Sequence, residues 1–238
     1  MKKIPMDTAD RITRRNFVVR STVVGAGLVI PGLASAVAGA EEKGKEDISL
    51  AEDLMREHGV LNRILLIYDE HLRLLDAKQT FDPGVLASSA GIIRHFVEEY
   101  HEKLEEDFLF PRFRKANKLV DLVDTLLAQH QAGRRVTAQI EQLAKANSLK
   151  DENKRRELGE NLRAFVHMYR PHEAREDTVL FPAFRGIVSA HEYDALGDDF
   201  EKKEDELFGD EGFFKVVDQV AELEKRLGMY ELSKFTPK

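Results

Sequence analysis

Two stretches of this chain carry residue types that bind metal ions at a spacing that lets them act together: His101-Glu102-Lys103-Leu104-Glu105 and His172-Glu173-Ala174-Arg175-Glu176. In a helix, a residue four positions on lies one turn along and about 40° round, so each His and its Glu offer a nitrogen and an oxygen to one centre. Both stretches run on into Leu-Phe-Pro and a further Phe, at Leu109-Phe110-Pro111 with Phe113 and at Leu180-Phe181-Pro182 with Phe184. A single histidine precedes each copy, His58 by 43 residues and His130 by 42. The chain therefore reads as two related helix pairs, each with two histidines and one carboxylate.

Composition narrows the chemistry. There is no cysteine among the 238 residues, which excludes disulfides, thiolate zinc, iron–sulfur clusters and cysteine nucleophiles and leaves His, Asp and Glu as the strong ligands. A formal charge of -7, with no Lys/Arg-rich patch interleaved with aromatics beyond the first twenty residues, argues against nucleic acid as a partner.

The elements that must hold these residues are helices. Ser49-Leu50-Ala51-Glu52 is a capping box preceded by Ile48, placed as a hydrophobic staple, and opens a helix to about Lys78. Asp82-Pro83 opens a second, to near Phe110; a third spans about 118–147 and a fourth about 148–181. Short connections make neighbours antiparallel, so the expected fold is all-α, an up-down four-helix bundle over 49–186. Two shorter helices follow in a C-terminal extension over 187–238, the first opened by Ser189-Ala190-His191-Glu192, with Gly209 and Gly228 as stops and an irregular tail from Met229.

Periodicity sorts the eight histidines. Helix one reads Leu54, His58, Leu61, Leu65, Tyr68, Leu72, Leu75 along its inward seam. Helix three reads Leu119, Val123, Leu126, His130, Gly133, Thr137, Ile140, and helix four Leu158, Leu162, Phe165, Tyr169, His172, Glu176, Val179. On helix two, Ile93, Val97, His101, Glu105 and Phe108 share one stripe. His95, His71, His167 and His191 fall off these seams or outside the bundle, which suits solvent or supporting roles; a bulge at Pro171 would turn His167 inward. Glu102 and Glu173 flank the ligands as candidate bridging or supporting groups.

Burying four imidazoles and two carboxylates unpartnered would cost several kcal/mol per carboxylate, so a cation between them is expected. The expected ligands are His58, His101, Glu105, His130, His172 and Glu176. Nitrogen and carboxylate donors without sulfur suit two irons best, with manganese and zinc still open. Two competing readings are a metal-free polar layer, in which His and Glu satisfy each other, and a ferritin-like bundle. The latter needs Glu-x-x-His on two helices, and only Glu98 to His101 supplies that spacing.

The N-terminus has the order of an export signal. Thr13-Arg14-Arg15-Asn16-Phe17-Val18 resembles the twin-arginine motif, an apolar stretch Val18 to Ile30 follows, and Ala38-Gly39-Ala40 offers a cleavage site. Residues 1–40 are thus expected to be a signal peptide and 41–48 a linker, with an exported, periplasmic product and no stable membrane insertion after processing. Residues 1–40 hold six Lys or Arg and two Asp, so their removal takes the formal charge from -7 to -11.

At His58, His101-x-x-x-Glu105 before Leu-Phe-Pro, His130, and His172-x-x-x-Glu176 before a second Leu-Phe-Pro, the sequence resembles the hemerythrin-like, or HHE cation-binding, family over residues 49 to about 186. The resemblance implies a carboxylate-bridged di-iron centre with the four histidines as terminal ligands and Glu105 and Glu176 as bridges. Oxygen-carrying hemerythrins place two histidines one turn apart on helix three, whereas Arg134 stands one turn after His130 here. Fewer protein ligands imply more open coordination, nearer to the sensor and nitrosative-stress branches of that family. The expected function is binding or sensing of O2 or NO. The alternatives are a di-iron oxidase, peroxidase or NO-handling enzyme, with Tyr68 and Tyr169 near the centre, or an iron storage or delivery protein.

Overall fold

The computed structural model describes residues 48–209 and 211–237. The expected signal peptide and most of the linker lie outside the described residues. Those described form six helices, with no strand among them. Helix α1 is Leu50–Asp76, capped by Ser49, whose hydroxyl accepts from the Glu52 N–H. Helix α2 covers 83–115, starting with Pro83 after the Asp82 cap, whose carboxylate accepts from the Gly84 N–H. Helix α3 is Val120–Leu143. Helix α4 covers 152–184; its cap is Asp151, which accepts from the N–H groups of Asn153 and Lys154, and Ser148–Lys150 forms a separate 3-10 turn ahead of it. Helices α5 (Ala190–Phe208) and α6 (Gly212–Leu227) follow, then a 3-10 turn, Leu232–Phe235, in the tail expected to be irregular.

The four long helices pack in a ring, α1 on α2, α2 on α3, α3 on α4 and α4 back on α1. Both later helices pack on α1, and α6 also on α2. The seams read from the sequence are the buried faces. Leu54, Leu61, Leu65 and Tyr68 on α1, Val123, Leu126 and Ile140 on α3, and Leu158, Leu162, Phe165 and Tyr169 on α4 are all nearly inaccessible.

Three departures from regular winding affect the centre. Helix α2 takes the wider π winding at Ile93–His101 and again at Glu105–Leu109, and α4 does so at Glu176–Leu180. The Phe110 N–H bonds the Glu105 carbonyl and the Phe181 N–H bonds the Glu176 carbonyl, each five residues back, immediately before Pro111 and Pro182, which have no N–H to offer. The wider turn moves the inward face on by one residue. Leu109 and Leu180 are fully buried, while the seam residues expected from a regular helix, Phe108 and Val179, are only partly so. At Pro171, by contrast, α4 stays α-helical, so the bulge comes five residues later than that proline suggested and His167 stays exposed.

Candidate metal centre

The six expected ligands converge at the middle of the four-helix ring. The Nε2 atoms of His58 and His101 are 3.0 Å apart, and those of His130 and His172 3.2 Å apart. Between these pairs sit Glu105 and Glu176, both 0% exposed. Each carboxylate divides its oxygens between the two pairs. Glu105 turns Oε1 to His101 (3.9 Å) and Oε2 to His130 (3.4 Å); Glu176 turns Oε1 to His172 (3.1 Å) and Oε2 to His58 (3.3 Å). No hydrogen bond reaches any of the four oxygens among the described residues. The ligand atoms of His58, His101 and Glu105 lie within 4.8 Å of one another, as do those of His130, His172 and Glu176. Facing imine nitrogens and orphaned buried carboxylates are costly without positive charge between them, and two cations shared by two bridging carboxylates fit this donor set.

Each ring is held from behind through Nδ1. His101 is bound by Glu57 Oε2 at 2.7 Å, and His172 by Gln129 Oε1 at 2.9 Å. His58 is bound by Asp177 Oδ1 at 2.7 Å, and His130 by Glu106 Oε1 at 3.1 Å. With oxygen acceptors at Nδ1, the proton belongs there and the Nε2 lone pair is aimed at the centre. Phe181 stacks on His58 and Phe110 on His130, each with centroids 5.5 Å apart and planes 22° apart, so the Phe of each Leu-Phe-Pro copy sets a ligand's orientation. The supporting residues obey the internal repeat. Glu57 and Gln129 each precede a lone His; Glu106 and Asp177 each follow a Glu ligand. Sequence reasoning passed over these four, although their matched places in the two copies were the available signal.

Without metal, protons supply positive charge here. Burial pushes the His58 imidazole down, but its bond to Asp177 and the negative charge of Glu176, 3.3 Å away, outweigh that and raise it to about 10. Burial and the neighbouring Glu176 charge push the Glu105 carboxyl well up. Burial also works on Glu176, but His172 and His58 hold it well below the usual carboxylate range. Burial lowers His101 despite its bond to Glu57. A metal entering the cluster therefore displaces protons.

The surroundings of the two pairs differ. Beside His130, Arg134 Nη2 lies 2.8 Å from Glu102 Oε2 and 2.7 Å from Glu106 Oε1. Ligand atoms of Glu102, Glu106 and His130 also lie within 4.8 Å of one another, a third cluster able to hold a cation, and here the guanidinium provides one. Glu106 is pulled down to about 2: burial alone would raise it, but His130, Lys103 and Arg134 prevail. The Tyr169 hydroxyl donates to Glu102 Oε1 at 2.6 Å, crossing α3 at Gly133, where a Cβ would stand 2.0 Å from the Tyr169 oxygen. Tyr68 is buried with its hydroxyl unpartnered among the described residues. Beside His58, Glu173 is buried with Oε2 unpartnered among the described residues, and its burial raises it to about 7.

Of the four histidines set aside on periodicity, His95, His167 and His191 are exposed, and His95 bonds Glu99 at 2.7 Å. His71 is a correction to its expected place off the seam: it is fully buried, with Nδ1 on the Ile67 carbonyl at 2.8 Å and Phe81 from the following loop packed edge-on against it. Phe81 belongs to the loop before α2, so helix periodicity does not register this contact.

A family model, the hemerythrin HHE cation binding domain, matches residues 49–184 and again 121–234. The second match starts 72 residues after the first, the interval from His58 to His130, and so registers the internal repeat. Uncharacterized proteins of Mycobacterium bovis and of two Mycobacterium tuberculosis strains are each 42% identical to the chain over 231 residues, covering 94% of it and 91% of their own length. No solved structure matches the chain significantly. With its four histidines and two glutamates gathered in a helical bundle and the family model spanning more than half its length, the chain belongs to the hemerythrin HHE cation-binding family.

Proposed function

We propose that this is an exported non-haem di-iron protein that binds or senses O2 or NO, with His58, His101, Glu105, His130, His172 and Glu176 as the ligands. The observation carrying the reading is the division of each carboxylate between the two histidine pairs, with all four oxygens buried and, among the described residues, without a hydrogen-bond partner. Iron held there would supply exchangeable coordination positions and one-electron redox chemistry. The chain's own contribution is positioning. Glu57, Gln129, Asp177 and Glu106 fix the ring tautomers; Phe110 and Phe181 lie against two of the rings; Leu109 and Leu180 close the apolar surround. Arg134 occupies the place one turn after His130 and is spent on Glu102 and Glu106, so this position adds no ligand.

Export is part of the proposal and is supported by the Arg14-Arg15 motif, the apolar stretch after it and Ala38-Gly39-Ala40. Among the described residues no helix is long and apolar enough to cross a membrane. Replacing Arg14-Arg15 by Lys-Lys is expected to leave the full-length precursor inside the cell; unchanged secretion would contradict that route.

The test of function is spectroscopic. The purified, anaerobically reduced protein should carry two irons per chain and change its visible spectrum stoichiometrically on exposure to O2 or NO. Sustained consumption of NO or peroxide over many turnovers would favour a catalyst instead, and rapid loss of iron to a mild chelator would favour storage or delivery. A di-iron form inert to both gases would sink the reading.

A further inference from the structure

The internal repeat gives each residue around one histidine pair a counterpart around the other, and one exchange breaks the match. His130, Glu102, Glu106 and Arg134 correspond to His58, Glu173, Asp177 and Asn62. On the flank formed by α2 and α3, the two carboxylates and the histidine are closed by the Arg134 guanidinium. On the flank formed by α4 and α1, the counterpart of that arginine is an exposed asparagine whose amide turns back to the His58 carbonyl at 3.2 Å. Arg170, one turn before Glu173 on α4, is paired with Asp69.

What remains on that second flank is a pair of acidic side chains lacking the cation their counterparts have. Glu173 is only 5% exposed, and its Oε2 is buried without a hydrogen bond among the described residues. Asp177 has a side chain 32% exposed, and its Oδ1 sits on the Nδ1 of His58, whose Nε2 faces the centre. Two carboxylates one turn apart on α4 thus flank the His58 ring, Asp177 reaching solvent and Glu173 buried. Hard divalent cations with part of their water shell are bound by carboxylates in such a partly wet setting.

We propose that Glu173 and Asp177 form an entry port that captures a hydrated divalent metal ion and hands it to His58, His101 and Glu105, while Arg134 plugs the equivalent port on the opposite flank. Loading is then one-sided, and the second ion reaches His130 and His172 across the shared carboxylates. The port rests on the six-residue cluster being a metal centre, and the experiment reads the two claims separately.

The full chain, stripped of metal, is mixed with Co2+ and the visible cobalt absorbance is followed by stopped flow to its end point. Final stoichiometry reports the centre; the initial rate reports the port. Glu173→Gln and Asn62→Arg, the latter copying the plugged flank, are expected to reach the wild-type end point of two ions with initial rates lowered about tenfold, in line with loss of local charge focusing. Arg134→Asn, which unplugs the other flank, should load faster than wild type. Wild-type rates in both Glu173→Gln and Asn62→Arg, at full stoichiometry, would overturn the port and leave the centre standing. A wild-type chain that takes up less than one ion would overturn the centre and the port with it.

Discussion

Toward the metal position the two halves of the centre are near copies. Facing imidazole nitrogens lie 3.0 Å apart in one and 3.2 Å in the other, the ring pairs are inclined at 55° and 53°, and a phenylalanine from each Leu-Phe-Pro lies against one ring at the same distance and angle. Toward solvent they diverge: Arg134, Tyr169 and Gly133 build a closed, charge-balanced flank beside His130, while Asn62 leaves Glu173 and Asp177 without a guanidinium beside His58. The repeat keeps the residues that face one another across the shared carboxylates and varies what lies behind them. Differences in access and electrostatics between the two ion positions should therefore trace to the flanks, not to the ligands.

The comparison breaks most completely at the shared carboxylates. Because each serves both halves, Glu105→Ala or Glu176→Ala should take a ligand from both positions and bring bound iron below one per chain by elemental analysis; His58→Ala or His130→Ala should spare more of the iron. The next largest effect is expected from Arg134→Leu, which leaves Glu102 and Glu106 without their cation at a cost of about 2–4 kcal/mol in denaturant unfolding, reduced from the fully buried case because Arg134 is partly exposed. Its counterpart change, Asn62→Leu, should cost less than about 0.5 kcal/mol. Gly133→Ala pushes the Tyr169 hydroxyl off Glu102 and is expected to cost about 1–3 kcal/mol, whereas its counterpart position carries Leu61 with no such crossing.

A further effect is on pH dependence in the metal-free protein, where the flanks respond in opposite senses. Glu173, raised to about 7 from an ordinary 4.5, keeps its proton longer in the fold than in the unfolded chain, so its contribution weakens as pH rises from 4.5 to 7. Glu106, held at about 2, contributes stability above 4.5 that is lost as pH falls toward 2. Glu173→Gln should therefore melt higher than wild type at pH 8 by about 2–4 °C, the equivalent of about 1 kcal/mol, with the gain shrinking toward pH 5. A gain that grew toward acid pH would contradict the assignment.

Much of this was legible in the sequence. The seams on α1, α3 and α4 placed Leu54, Val123 and Leu158 in the core, and the repeat of His-x-x-x-Glu before Leu-Phe-Pro picked out residues that the fold brings together. What escaped has physical reasons. The π windings at Glu105 and Glu176 have no period to detect, so the inward residue slipped from Phe108 to Leu109 and from Val179 to Leu180. Pro171 carried the expected kink signal and left the helix intact, while Pro111 and Pro182 each follow a widened turn. Glu57 and Glu98 are buried because each meets a partner from another helix, Glu57 the His101 ring and Glu98 the Thr137 hydroxyl, and charge alone would have placed them in water.

The central claim is that six residues inside the bundle hold two irons. It is tested most directly by the iron content and visible spectrum of the mature protein, reduced without oxygen and then exposed to it, beside His101→Ala and His95→Ala. The account predicts two irons and an oxygen-dependent spectrum in wild type and in His95→Ala, with both diminished in His101→Ala. Iron retained by His101→Ala but lost from His95→Ala would contradict it.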